Sequence, residues 1–320
     1  MSAPRVEVFV FSYQREQFLV ECLQSIVSQS YENTNIIVLD NASDFDVFNT
    51  IKKGGLEGFV NVVRQDKNIG YVGQFTYVQK NISADYAILF HDDDTMPADM
   101  VKLLVEVHEN NKDLSWVGTN YNLINNEELM STYSSQSLSS VEIYENDVDL
   151  VNNSFRNNKR SGFSSMMYSK EFLKKILLPK INCTTGDVAI KIQLAKQAPC
   201  AVAYSVYYNV RIHSDQDSYQ MSPPFSDDLF LFEIYYQTNK FSKDIRYKLF
   251  PFLWVMHRYC VNKNRTGFAM FIRSLLKMSI VGGWVAFISF PYFFVRVNLR
   301  LTMDRLKSMI HKIKQKAILL

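Results

Sequence analysis

The stretch YAILFHDDDTMP, residues 86–97, decides the fold. Five apolar or aromatic residues run unbroken into a histidine and three consecutive aspartates, and Pro97 closes the segment. A short apolar run bounded by a polar cluster reads as a strand buried on both faces, as in the middle of a parallel sheet. Three adjacent carboxylates at the end of such a strand repel one another unless a cation or solvent compensates. A divalent metal is the economical compensation, because hard oxygen ligands suit Mg²⁺ or Mn²⁺. From the triplet alone, a solvated acidic turn or helix cap stays open as the alternative.

Outward from this strand, short β runs alternate with helical stretches through residue 125, the pattern of a parallel sheet with crossover helices. VEVFVF (6–11) reads as a buried strand, and after the polar turn Phe18, Leu19, Cys22, Leu23, Ile26 and Val27 recur at helical spacing. NIIVLD (35–40) is a second strand ending on a carboxylate. FVNVVRQ (59–65) is a third, leading through DKNIGYVGQ into a helix that ends near Ile82. In an open α/β sheet the ligand lies beyond the carboxyl ends of the strands, so Ser12, Asp40, Asn68 and Asp92 to Asp94 are expected to converge there. Residues 126–160, rich in Asn, Ser and Glu, read as an irregular excursion. Order is expected again at GFSSMMYS (162–169, a strand), KEFLKKILL (a helix), TTGDVAIKIQLAKQ (a helix opening at Thr-Thr-Gly-Asp) and AVAYSVYYNVRI (201–212, a strand). Pro223-Pro224 marks a boundary, with helical, aromatic and basic segments beyond it. The expected domains are therefore 1–222, divided into 1–125 and 126–222, and a helical region over 223–320.

Composition agrees with a folded chain. Of 320 residues 47% are hydrophobic and 21% charged, with 11 Gly and 8 Pro, which excludes disordered and collagenous classes. Cys22, Cys183, Cys200 and Cys260 form no CxxC pair, so neither a zinc site nor a disulfide framework is expected, and a reducing cytoplasm fits. MSAPRVEVFVF enters a strand without a basic leader, so no signal peptide is expected. Charge is divided unevenly: residues 240–320 carry 16 Lys/Arg against Asp244 and Asp304. With no zinc-finger, RNP or helix-turn-helix signature, nucleic acid is not the expected partner of this tail, and an anionic lipid surface is. Met278–Val295 is an uncharged stretch of 18 residues broken by Gly282, Gly283 and Pro291 and flanked on both sides by basic residues. It is read as a buried or interfacial helix pair rather than a membrane span. In the last helix Leu301, Leu306, Met309, Ile310 and Ile313 share one face, as in an interfacial amphipathic helix, with a packed or oligomerising helix as the alternative.

Taken in order, the polar FSYQRE end of the first strand, LDNAS, KNIGYVGQ, FHDDD, the Gly-Asp pair opening a later helix and RIHSDQDS resemble the GT-A glycosyltransferases of family 2 over roughly residues 4–220. The resemblance implies an α/β GT-A fold, a Rossmann-like mixed sheet with a C-terminal helical appendage. It also implies transfer of a sugar, with inversion, from a nucleotide diphosphate sugar (a UDP-sugar favoured) to an acceptor hydroxyl in surface polysaccharide or lipid-linked glycan assembly. By the same resemblance Phe11, Ser12 and Tyr13 match the base-binding loop, Asp40 the acceptor of the base N–H, and Asn68 and Gly70 the loop against the nucleotide. Arg15 is a candidate partner of phosphate. Asp92 and Asp94 match the D-x-D arrangement, with Asp92 or Asp93 nearer ribose and sugar, and Asp94 and His213 on a bridging Mn²⁺ or Mg²⁺. His91 stands where many relatives carry an acidic or small residue. Asp187 is the candidate general base, since an acceptor hydroxyl needs a carboxylate in reach to take its proton. The enzyme is then expected in the cytoplasm, peripheral at the inner face of the cell membrane, with oligomers formed through its C-terminal helices.

Two other readings remain. A sugar nucleotidyltransferase shares metal carboxylates and a related sheet but would show a Gly-rich basic loop after the first strand. A non-catalytic carbohydrate-binding or assembly subunit would keep the nucleotide fold alone. A nicotinamide-binding dehydrogenase is excluded by the absence of glycine from FSYQRE.

Overall fold

In the computed structural model, residues 3–111, 113–125, 128–131, 141–150, 161–177 and 186–213 are described, with side chains except at 128–131 and 205–207. All of them fall in the first of two compact units, Met1–Met221. The expected helices of the basic tail lie outside the described residues.

The order is β1 (Val6–Ser12), α1 (Glu16–Val27), β2 (Thr34–Asp40), α2 (Val47–Lys53), β3 (Val60–Arg64), α3 (Gly70–Asn81), β4 (Tyr86–His91), α4 (Met100–Asn110) and β5 (Trp116–Asn125). It continues with β6 (Glu128–Ser131), β7 (Val141–Tyr144), a 3₁₀ turn at Phe163–Ser165, β8 (Met167–Ser169), α5 (Lys170–Leu173), α6 (Gly186–Ala195) and β9 (Cys200–Arg211). The strands form one mixed sheet in the order β3-β2-β1-β4-β8-β5-β9-β7, with β6 paired to β5.

β1, β2, β3 and β4 are mutually parallel, and β1 is enclosed by β2 and β4. That position explains its largely apolar sequence: every residue of β1 is buried. Alternate side chains feed two cores. Val6, Val8 and Val10 meet the Leu19, Cys22, Leu23 and Ile26 stripe of α1 together with Met100, Val101 and Leu104 of α4. Phe9 and Phe11 meet Phe75 and Val78 of α3 with Ile190 and Leu194 of α6. The charged residue of β1, Glu7, is buried but satisfied, accepting from the Ser83 hydroxyl (2.6 Å) and the Ser83 N–H (3.0 Å).

Strand direction positions the site. β8 is antiparallel to both β4 and β5, so β5 runs with β4, and β9 is parallel to β5. The carboxyl ends of β1, β2, β4 and β9 therefore share one edge of the sheet. β8 covers only Tyr86–Ile88 of β4, and the chain after His91 reaches across to β9, where Thr95 and Asn209 form an antiparallel bridge.

Two expectations change. GFSSMMYS is not one strand: Phe163–Ser165 is a 3₁₀ turn and only Met167–Ser169 pairs. Gly162, itself extended, precedes the turn at a place where a β-carbon would lie 1.8 Å from the Tyr208 hydroxyl. The stretch 126–160 is not wholly irregular, for β6 and β7 lie in it.

Candidate active site

The Ser12↔Asp40 and Phe11↔His91 registers bring the ends of β1, β2 and β4 side by side. At this edge each aspartate of the triplet takes different partners. Asp92 is fully buried and accepts from the Tyr13 N–H (3.0 Å) and from Arg15 Nη1 (3.0 Å). Asp93 lies 3.6 Å from the same guanidinium nitrogen and 2.8 Å from His213 Nε2. Asp94 accepts from the Ser164 hydroxyl (2.8 Å) and the Arg211 N–H (3.3 Å), while Ser164 Oγ in turn accepts from the His91 N–H (3.1 Å).

Crowding three carboxylates away from water sets their protonation. Burial, opposed by Arg15 and reinforced by Asp93, pushes Asp92 up to about 7. Burial and the neighbouring Asp93 charge push Asp94 well above the usual carboxylate range. Burial works against ionised Asp93 as well, but His91, Arg15 and the His213 hydrogen bond outweigh it and hold Asp93 low. Burial and mutual repulsion thus disfavour the ionised forms of Asp92 and Asp94, a penalty that a divalent cation would relieve. Among the described residues no three His, Cys, Asp or Glu side chains are arranged to hold a metal ion. The Asp93 carboxylate with the His213 imidazole still fits Mn²⁺ or Mg²⁺, which commonly takes one or two protein ligands and completes its shell with substrate phosphates and water. His213, expected with Asp94 on a cation, meets Asp93, and Asp94 has both oxygens engaged by Ser164 and Arg211.

Other expected residues are placed as follows. Tyr13 is 40% exposed and is the aromatic ring open to a base, whereas Phe11 is buried against Tyr71 (6.1 Å) and Phe163 (6.0 Å). The Ser12 hydroxyl is buried without a hydrogen-bond partner at the strand end. Asp40 is buried, accepting from the Ser43 N–H (2.9 Å) and from Arg64 Nη1 (2.5 Å). A base N–H would therefore share an oxygen that already accepts one bond. Asn68 accepts from Asn41 Nδ2 and from the Gly70 N–H, both at 2.8 Å, and this loop opens α3. Gly70 has φ +65°, a conformation that favours glycine. Arg15, expected on phosphate, pairs with the acidic turn.

Asp187 stands in the first turn of α6, its side chain 31% exposed and its Oδ2 3.5 Å from Lys191 Nζ. The preceding Gly186 packs on the Tyr71 ring, where an added β-carbon would come to 3.1 Å. Tyr71 meets Phe163 (5.6 Å) and Phe163 meets His91 (4.8 Å), so an aromatic bridge joins the start of α6 to the acidic turn.

Sequence reasoning missed Arg64, Ser164 and Arg211. The first stands opposite Asp40 in the β2–β3 register, and the last shares the alternation N-V-R-I-H with His213, so strand periodicity held a signal for both. For Ser164, inside an apolar segment, there was none.

Residues 7–177 match the model of Glycosyl transferase family 2. The chain belongs to this family. Its mixed sheet is a GT-A fold. An uncharacterized glycosyltransferase of Haemophilus influenzae (strain ATCC 51907 / DSM 11121 / KW20 / Rd) is 25% identical over 124 residues, which cover 38% of this chain and 38% of that protein. The match thus spans well under half of that relative's length. Among solved structures, S. aureus TarS 1-349 in complex with UDP-GlcNAc superposes with a TM-score of 0.66 at 14% identity, over 88% of this chain and 82% of that one. TarS 1-349 in complex with UDP gives 0.62 at 12% identity, over 94% and 92%. At these identities the likeness is one of fold. Among the described residues no helix is long and apolar enough to cross a membrane.

Proposed function

We propose that this family 2 enzyme moves a sugar from a UDP-sugar to an acceptor hydroxyl with inversion at the anomeric carbon. The observation that carries the reading is the gathering of Asp92, Asp93, Asp94, Arg15 and His213 at the carboxyl edge of the sheet. The UDP-GlcNAc bound to TarS supports a uridine donor. Tyr13 offers its exposed ring to the base, with Ser12 and Phe11 supplying strand-end backbone, Asp40 its carboxylate and the Asn68–Gly70 loop main-chain contacts. Asp92, fastened by Tyr13 and Arg15, faces ribose and sugar. Asp93 and His213 would hold a divalent cation, which would neutralise charge on the leaving diphosphate. Asp94 braces the turn from behind. Inversion by single displacement needs one base opposite the leaving group, and Asp187, accessible at the start of α6, takes the acceptor proton.

Acceptors of the polysaccharide or lipid-linked class fit a chain whose residues 240–320 carry 16 basic and two acidic side chains. We infer that this segment, within the region 223–320 that follows the catalytic domain, holds the enzyme at the inner face of an anionic membrane and joins protomers in oligomers. The test is a nucleotide-sugar panel with Mn²⁺, Mg²⁺ or chelator, reading nucleoside diphosphate, pyrophosphate and product anomer. UDP release that needs the metal, with an inverted product, is expected. Pyrophosphate release would make the enzyme a nucleotidyltransferase, and silence across donors and acceptors would make it a binding subunit.

A further inference from the structure

Alternate residues at the end of β9 grip the acidic turn. Asn209 exchanges backbone hydrogen bonds with Thr95 (2.9 and 3.1 Å) and donates from Nδ2 to Thr95 Oγ1 (3.2 Å). Two residues on, the Arg211 N–H meets Asp94, and two further, His213 meets Asp93. Arg211 does more than this backbone contact. Its Nε donates to the Asp93 carbonyl (3.2 Å), its Nη2 donates to Glu21 Oε2 (2.6 Å), and its guanidinium carbon stands 4.9 Å over the Phe18 ring. Phe18 also meets the imidazole of His213 at 4.8 Å.

We infer that Arg211 is a positioning residue, fixing the Asp93 main chain and the ring that backs His213 so that carboxylate and imidazole face one another. The inference rests on the proposed function, in which that pair receives the cation. The physical argument starts from cost. Arg211 is 6% exposed, and burying a guanidinium is unfavourable unless its donors are satisfied. Here the planar fork is used in separate directions at once: Nε to a main-chain carbonyl, Nη2 to a carboxylate, and the flat face to an aromatic ring. A lysine ammonium, a point charge on a flexible stem, cannot reproduce that set. A strut needed only for packing would make no use of the Asp93 carbonyl. Groups that orient a metal ligand from behind commonly govern metal affinity by about 10- to 100-fold.

The experiment measures UDP affinity by calorimetry with and without Mn²⁺, alongside the thermal midpoint, for the full chain and for Arg211→Met, Arg211→Lys and Glu21→Ala. The quantity read is the gain in UDP affinity that Mn²⁺ confers. Arg211→Met should reduce that gain by about 10-fold or more and leave metal-free UDP affinity within about threefold, with lysine failing to restore it. Glu21 has a side chain 50% exposed and lies on α1, so alanine there should preserve the fold and reduce the gain by about threefold by releasing one arm of the fork. A fall in thermal midpoint with the Mn²⁺ gain unchanged would make Arg211 a structural strut and overturn the inference. Where Arg211→Met does not fold, an unchanged gain in Glu21→Ala overturns it equally. If the parent chain shows no Mn²⁺ gain, the cation reading itself fails and the inference goes with it, an outcome visible before any variant is made.

Discussion

Acid should destabilise this enzyme through a residue away from the acidic turn. His108 on α4 is 4% exposed, stacks on Tyr86 at 4.4 Å and lies with Nε2 3.2 Å from the Met167 carbonyl, so the neutral ring donates there. Burial pushes it from 6.5 down to about 4, with the carbonyl hydrogen bond working in the opposite direction. Beside this ring pair Glu109 accepts from the Tyr86 hydroxyl at 2.8 Å. A folded-state pKa below the unfolded one means that the unfolded chain takes the proton first. Stability is then fully present above pH 6.5 and drains away as pH falls toward 4. Each pKa unit is worth about 1.4 kcal/mol, so the loss is about 2 kcal/mol by pH 5 and about 3 kcal/mol when titration is complete. Urea unfolding of the parent and of His108→Phe, repeated between pH 7.5 and 4.5, isolates this part. Phenylalanine keeps the ring on Tyr86 and loses one hydrogen bond, a pH-independent cost of about 1 kcal/mol. Contributions from the aspartates are common to both proteins and cancel. The variant should therefore gain on the parent by about 2 kcal/mol between pH 7 and 5. Parallel curves would show that His108 charges in place, and the argument from burial would be refuted.

Other outcomes are expected. Asp187→Asn should keep UDP-sugar affinity while transfer falls by about 10²-fold or more, and transfer at the parental rate would remove Asp187 from the mechanism. Gly162→Ala should lower stability by about 1–3 kcal/mol, because Tyr208 is 2% exposed and cannot swing away from the new methyl group; an unchanged thermal midpoint would contradict that. The full chain should sediment with anionic vesicles in a salt-sensitive manner, and a chain ending at Ser222 far less; equal sedimentation of the two would end the membrane reading of the tail.

The fold was most legible where burial is two-sided. VEVFVF, NIIVLD and YAILF are dominated by apolar residues because neighbours and helices cover the parallel half, and the α1 stripe was readable because one face of that helix meets the core. Legibility fell where these conditions lapse. β7 is an edge strand of four residues with Val141 and Ile143 exposed, so its alternation carries no burial signal. α2 has seven residues and owes its start to Asp46 capping the Asn49 N–H, a local device with little periodicity. In GFSSMMYS composition suggests one strand, yet Phe163–Ser165 forms a 3₁₀ turn closed by local bonds from the Ser165 N–H to the Gly162 carbonyl and from the Met166 N–H to the Phe163 carbonyl.

At the site, residue types were legible and their assignments were not. Three adjacent aspartates look alike in sequence, and only the arrival of separate chain segments tells them apart. Just past β1, the Tyr13 N–H claims Asp92; the chain leaving β9 carries His213 to Asp93; the turn at Ser164 claims Asp94. Spacing cannot rank the ends of strands far apart in the chain, so it could not tell which carboxylate His213 meets. The same division of partners means that the aspartates are not interchangeable. Removing Asp92 loosens the turn from β1 and leaves Arg15 with Asp93, removing Asp93 empties the place opposite His213, and removing Asp94 strands the Ser164 hydroxyl in a buried position. No neighbour in the triplet can take over, because each is already tied to a different wall of the site.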